Sequence, residues 1–246
     1  AAQFADGSFC GAAVSGLNGK GLDGLVLVTT LAILGIALLT SILDARLEAR
    51  TADLAQSLTE ANRELTQLAL HDTLTGLPNR VLLADRIEQA MSAVKAQGGC
   101  FALMFIDLDG FKPVNDAFGH HMGDLLLREV ALRLREDMRH QDTLARIGGD
   151  EFVLLVQLVN EHDALNLAER QVGLIARSFR VAEHDLQISA SVGIALYPGN
   201  GHSAEELLMN ADAAMYHAKA SGKNGYSFFE ASMNTDARNQ LQLLQE

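Results

Sequence analysis

Three carboxylates in this chain occupy positions where a negative charge is costly unless something positive faces it. Asp107 ends the apolar run Phe101-Ala-Leu-Met-Phe-Ile, while Asp150 and Glu151 follow Gly148 and Gly149 between two short apolar segments. A charge at the edge of a core must be paired or metal-bound. If the Gly-Gly-Asp-Glu hairpin lies beside the first run, three hard oxygen donors converge. One or two Mg²⁺ ions bridging triphosphate oxygens require such a set. The two glycines permit positive φ and let a nucleotide approach the backbone closely. Taken alone, however, the turn also reads as a solvated acidic turn.

The elements that must position these groups follow from hydrophobic period and punctuation. Gly76 and Pro78 in His71-Asp-Thr-Leu-Thr-Gly-Leu-Pro-Asn-Arg80 break a preceding helix, and Asn79 can cap the next one. A globular domain therefore begins near residue 72. Helices are expected over 80–97, near 113–118, and over 123–138, 161–179 and 203–221, with strands over 100–108, 143–147, 152–157, 186–196 and 226–229. Alternation with a central hairpin predicts a mixed sheet with helices on its faces, an α+β domain.

Upstream, residues 24–43 carry no charge for 20 residues and span roughly 30 Å as a helix, which predicts a transmembrane segment. Arg46 and Arg50 follow it closely, while Lys20 precedes it among Asp6 and Asp23. The positive-inside bias then places the C-terminal side in the cytoplasm and residues 1–23 outside. Residues 44–70 show Thr51, Leu58 and Leu65 at one heptad position and Leu47, Leu54, Ala61 and Leu68 at the other. That pattern predicts a short parallel-dimer seam, with an amphipathic helix packed on its own domain as the alternative. A net charge of −12 argues against a nucleic-acid-binding surface, so a phosphorylated ligand needs a local site or metal ions. Cys10 and Cys100 have no zinc or disulfide spacing.

The segments DTLTGLPNR, FIDLDGFKPVNDAFGHHMGD, RIGGDEFVLL, SVGIALYPGNG and NADAAMYHAKASGKNGY stand in the order found in one family. Over residues 70–229 the chain resembles the GGDEF diguanylate cyclases, a bacterial family. The resemblance implies a central, mostly antiparallel sheet similar to the palm of polymerases and adenylate cyclases. It implies condensation of two GTP molecules into cyclic di-GMP and pyrophosphate by a homodimer at the cytoplasmic membrane. Asp107 and Asp150 match the metal-binding carboxylates, with the carbonyl of Leu108, for two Mg²⁺ per half-site or Mn²⁺ in their place. Glu151 matches a residue that binds metal or helps deprotonate the attacking hydroxyl. Asn115 and Asp124 match the pair that reads guanine, and Lys112, Lys219 and Lys223 fall near the phosphates. Lys223 stands where the family often has Arg, keeping the charge without the fork.

Arg139 and Asp142 lie just before the Gly-Gly-Asp-Glu motif and match the family's RxxD inhibitory site for product, with Arg170 as an additional arginine. On chemistry alone they read equally as a loop ion pair. The tail over 231–246 resembles a linker to an EAL phosphodiesterase domain. Two readings therefore stand: a cyclase, or a non-catalytic GTP-binding and dimerisation module that regulates such a domain.

Overall fold

The computed structural model describes residues 15–158 and 161–233. Cys10, most of the expected outer segment and most of the tail over 231–246 lie outside the described residues. The chain divides into two units, residues 1–64 and 65–246. The first unit is dominated by helix α1, which runs from Ser15 to Leu70 across the boundary. The apolar stretch and the heptad segment expected as separate pieces are thus one uninterrupted helix. It begins within the Gly-rich stretch, because isolated glycines each cost about 1 kcal/mol yet do not by themselves end a helix. From residue 23 a window of mean hydropathy 2.5 is long and apolar enough to cross a membrane, and none of it is buried. Leu47, Leu54, Leu58, Leu65 and Leu68 are likewise exposed, so these heptad positions have no cover among the described residues.

In the second unit the 71–79 turn ends α1. Asp72 accepts from the Thr75 N–H at 2.9 Å and the Thr75 hydroxyl at 2.6 Å. Asn79 then caps α2 (Arg80–Gln97), accepting from the N–H groups of Val81 and Leu82. Next come β1 (Cys100–Asp109), α3 (Phe111–Phe118), α4 (His120–Glu136), β2 (Thr143–Gly148), β3 (Glu151–Leu158), α5 (Glu161–Ile175), β4 (Phe179–Val181), β5 (His184–Leu186), β6 (Ser189–Tyr197), α6 (Ala204–Ala220) and β7 (Gly225–Phe228). The main sheet has the order β2-β3-β1-β6-β7, antiparallel except for β6–β7.

Strand β1 is central and buried on both faces, so its side chains alternate between two cores. Ala102, Met104, Ile106 and Leu108 pack with Leu126, Val130 and Leu134 of α4. Phe101, Leu103 and Phe105 pack with Leu83 and Ile87 of α2 and Leu207, Ala211 and Met215 of α6. The period of two therefore turns Asp107 and Asp109 toward the α2/α6 side. Helix α6 lies close on β6 because residue 193 is glycine. A Cβ there would collide with the backbone of Ala211 and Met215.

Several boundaries differ from the sequence expectation. Helix α5 stops at Ile175 rather than 179, and the expected strand over 186–196 divides into β5 and β6, with β4 and β5 forming a separate hairpin. The early end of α5 is held by Arg133 on α4. It donates to the carbonyls of Leu174 (3.1 Å), Arg177 (2.8 Å) and Ser178 (2.9 Å), and its guanidinium sits 3.5 Å from the centre of the Phe179 ring. These bonds satisfy carbonyls that end a helix without partners. Helix α4 begins at His120 rather than 123, because Gly119 at φ 82 supplies the break and Gly123 lies inside the helix.

Candidate active site

The register of the sheet builds the site. Asp107 pairs directly with Glu151 on β3 and with Ser191 on β6, so these side chains share a face. A bulge between Arg146 and Gly148 leads into the turn, where Gly149 adopts φ 46, a conformation suited to glycine. Arg146 fixes that turn. Its Nε and Nη2 donate to the Gly149 carbonyl at 3.0 and 2.7 Å, and its Nη1 donates to both carboxylate oxygens of Asp72 at 2.9 Å. The N–H of Leu108 donates to the Asp150 carbonyl at 3.3 Å, tying the turn to β1. Burial alone would raise the Asp72 carboxyl, but hydrogen bonds from Thr75 and Arg146 outweigh it and hold that carboxyl below its ordinary value.

Asp107 is 7% exposed and one of its oxygens lies 2.7 Å from Lys219 Nζ. Burial, then the charge of Asp107, pushes Asp150 above its ordinary value. Burial likewise raises Glu151, with the charges of Asp212, Asp107 and Asp150 adding to it. Asp212 is raised by burial and then by Asp107. The structure thus gathers Asp107, Asp150, Glu151 and Lys219 and adds Asp212, which the sequence reading missed. The signal for it was present: Asp212 stands seven residues before Lys219, two turns along the same face of α6. Arg80 at the start of α2 is a second unanticipated member, its charge opposing the rise at both Glu151 and Asp212.

The remaining expected residues stand on other elements. Asn115 on α3 has its side-chain oxygen buried and without a hydrogen-bond partner. That oxygen presses against Gly123, where a Cβ would collide with it, so the glycine makes room for Asn115 beside the residue preceding Asp124. Asp124 is exposed on α4. Lys112 and Lys223 are exposed, Lys223 in a left-handed backbone conformation at φ 62. Among the described residues no three His, Cys, Asp or Glu side chains close into a protein-only metal cage. The donors at hand, two carboxylates and main-chain carbonyls, suit Mg²⁺, which is commonly held by one or two carboxylates plus substrate phosphates.

A cavity of about 430 Å³ is lined in part by Arg139, Asp142 and Arg170, the three residues expected at the RxxD site. Asp142 accepts the Arg139 N–H at 3.0 Å through one oxygen, while the other is buried without a partner. Burial raises its carboxyl, against the Arg139 N–H and the charges of Arg139 and Arg170. Arg170 is held by Asp137, 2.7 Å from its Nε.

Residues 69–225 match the family model described as "Diguanylate cyclase, GGDEF domain". The chain belongs to the GGDEF family. It is 60% identical over 246 residues to the bifunctional diguanylate cyclase/cyclic di-GMP phosphodiesterase MucR of Pseudomonas aeruginosa, covering 100% of this chain but 36% of MucR. The chain thus spans about a third of that relative's length. Its fold is that of the solved GGDEF domain of TpbB from the same organism, with TM-score 0.65 and 35% identity over 72% of this chain and 99% of that one. The coiled coil and GGDEF domain of DgcB from Caulobacter crescentus, solved with cyclic di-GMP, matches with TM-score 0.68 and 28% identity over 76% of this chain and 98% of that one.

The crowded carboxylates generate a stability prediction for this GGDEF domain. A carboxyl raised in the folded state costs stability at neutral pH, and that cost disappears as pH falls through the raised value. Glu151→Gln should therefore raise the melting temperature at pH 7.5. The gain should shrink as pH is lowered toward about 4, where the carboxyl titrates in the unfolded chain. Thermal unfolding at the two pH values reads both.

Proposed function

We propose that this chain is a diguanylate cyclase that condenses two GTP molecules into cyclic di-GMP as a homodimer. The observation that carries the reading is the carboxylate group Asp107, Asp150 and Glu151, brought to one end of the sheet with Lys219 bound to Asp107. A module that only bound nucleotide would have no need of a complete acidic set beside a phosphate-neutralising lysine.

Asn115 and Asp124 read the guanine edge. The unpartnered oxygen of Asn115 is an acceptor suited to a guanine N–H donor. Lys112, Lys219 and Lys223 hold the triphosphate, and Gly148 and Gly149 let it approach the turn. Asp107, Asp150 and the main-chain carbonyl of Leu108 would hold Mg²⁺, which supplies the positive charge that balances the triphosphate oxygens. Glu151 joins that set or takes the proton from the attacking 3′-hydroxyl. The 3′-oxygen of one nucleotide forms a bond to the α-phosphorus of the other, the α–β bridging P–O bond breaks, and pyrophosphate leaves. Repeating the step with the roles exchanged closes the ring. Positioning and charge supply most of the acceleration in such transfers.

One domain holds one nucleotide, so two copies must face each other. The uncovered leucines of α1 supply a parallel seam for that purpose, and the apolar residues before them anchor the protein in the bacterial cytoplasmic membrane with the GGDEF domain in the cytoplasm. MucR, with its bifunctional name and greater length, supports an EAL domain in the whole protein. Arg139, Asp142 and Arg170 line a cavity with a buried unpaired acceptor, a suitable seat for cyclic di-GMP as feedback inhibitor.

Incubating residues 44–246 with GTP and Mg²⁺ should yield cyclic di-GMP by mass, and Glu151→Ala should abolish it. GTP binding and dimers without product would instead support the regulatory-module reading. Arg139→Ala should raise the cyclic di-GMP concentration for half-inhibition by about tenfold or more, as expected for loss of a charge-assisted contact. An unchanged inhibition curve would remove the RxxD cavity from the account.

A further inference from the structure

Two residues beyond Asp107, on the same face of β1, Asp109 is 8% exposed and forms no salt bridge among the described residues. A buried carboxylate is costly unless donors satisfy it, and here they are neutral. Ser189 Oγ donates at 3.1 Å and Ser191 Oγ at 3.0 and 3.1 Å. Both serines lie on β6, Ser189 directly opposite Asp109 and Ser191 opposite Asp107. The third donor is the main-chain N–H of Asn224, 3.1 Å away, from the loop that follows α6.

That loop has an unusual backbone. Lys223 at φ 62 and Asn224 at φ 48 are consecutive non-glycine residues in the left-handed region. Each such residue costs of order 1 kcal/mol or more and persists only where its surroundings over-determine it. Lys223 is tied by its own N–H to the Ala218 carbonyl at 3.2 Å, and Asn224 by Asp109. A hydrogen bond to an ionised acceptor is roughly twice as strong as one between neutral groups. Asp109 therefore satisfies its own desolvation by fixing the strained pair.

We propose that Asp109 is the positioning residue of the Lys223 loop: its carboxylate, held by Ser189 and Ser191, fixes the backbone of Asn224 and so sets Lys223 against a triphosphate bound beside Asp107. The inference rests on the nucleotide site proposed above. Asp107 of the acidic centre and the residue that positions one of the phosphate lysines then stand two residues apart on a single strand. A lysine is a point charge without a fork, so its hold on a phosphate depends on placement.

The test is a double-mutant cycle read by calorimetric binding of guanosine 5′-(α,β-methylene)triphosphate with Mg²⁺, which needs no turnover. Lys223→Ala and Asp109→Ala should each weaken binding about tenfold, and the double variant should be no weaker than about tenfold, because both remove one contact. Asp109→Asn should recover most of the affinity, since its amide oxygen still accepts the Asn224 N–H. Additive loss of about a hundredfold, or wild-type binding by Asp109→Ala, would overturn the proposal. If Asp109→Ala does not fold, Ser189→Ala/Ser191→Ala takes its place in the same cycle with the same two outcomes. A wild-type protein that binds the analogue but makes no cyclic di-GMP would defeat the cyclase reading and leave this inference standing.

Discussion

The guanidinium of Arg146 reaches in two directions, to both oxygens of Asp72 at the start of the domain and to the carbonyl of Gly149 at the acidic turn. The main-chain N–H of Arg146 donates to the Pro78 carbonyl at 3.0 Å. One side chain, 11% exposed, thus fastens the 71–79 segment to the hairpin that presents Asp150 and Glu151. Removing either partner of this part-buried pair leaves the other charge uncompensated. Geometry at the Gly-Gly turn therefore depends on how the domain begins.

From that clamp the site follows in layers. The β1–β3 register puts Glu151 opposite Asp107, and Gly193 lets α6 lie close on β6, the approach that sets Lys219 on Asp107. Burial raises Asp150, Glu151 and Asp212, and repulsion among the neighbouring carboxylates adds to it. An arrangement that stores repulsion in the free domain is relieved by cations, which fits chemistry on a polyanionic substrate.

Much of this was legible in the sequence because the signals were local. The cap at Asn79, the apolar run into Asp107, the Gly-Gly turn and the hydrophobic repeats of α1 each announce themselves within a few residues. What escaped was set by distant partners. Helix α5 ends early because Arg133, some 40 residues away, captures its terminal carbonyls. Asp212 joins the site through the docking of α6, which the apolar pattern of that helix does not fix. Gly123 looked like a helix start, yet it sits within α4 to accommodate Asn115. Asp109 lies just past the strand expected over 100–108, and only the fold brings Asn224 to it.

On the proposed reading, the turn held by Arg146 sets the acidic residues for catalysis. The most direct measurement is the rate of cyclic di-GMP formation by Arg146→Met at equal folded content, verified by circular dichroism. A loss of about 100-fold or more is predicted, the order expected when reacting groups shift by about an ångström. A folded Arg146→Met protein that turns over GTP at the wild-type rate would contradict the account.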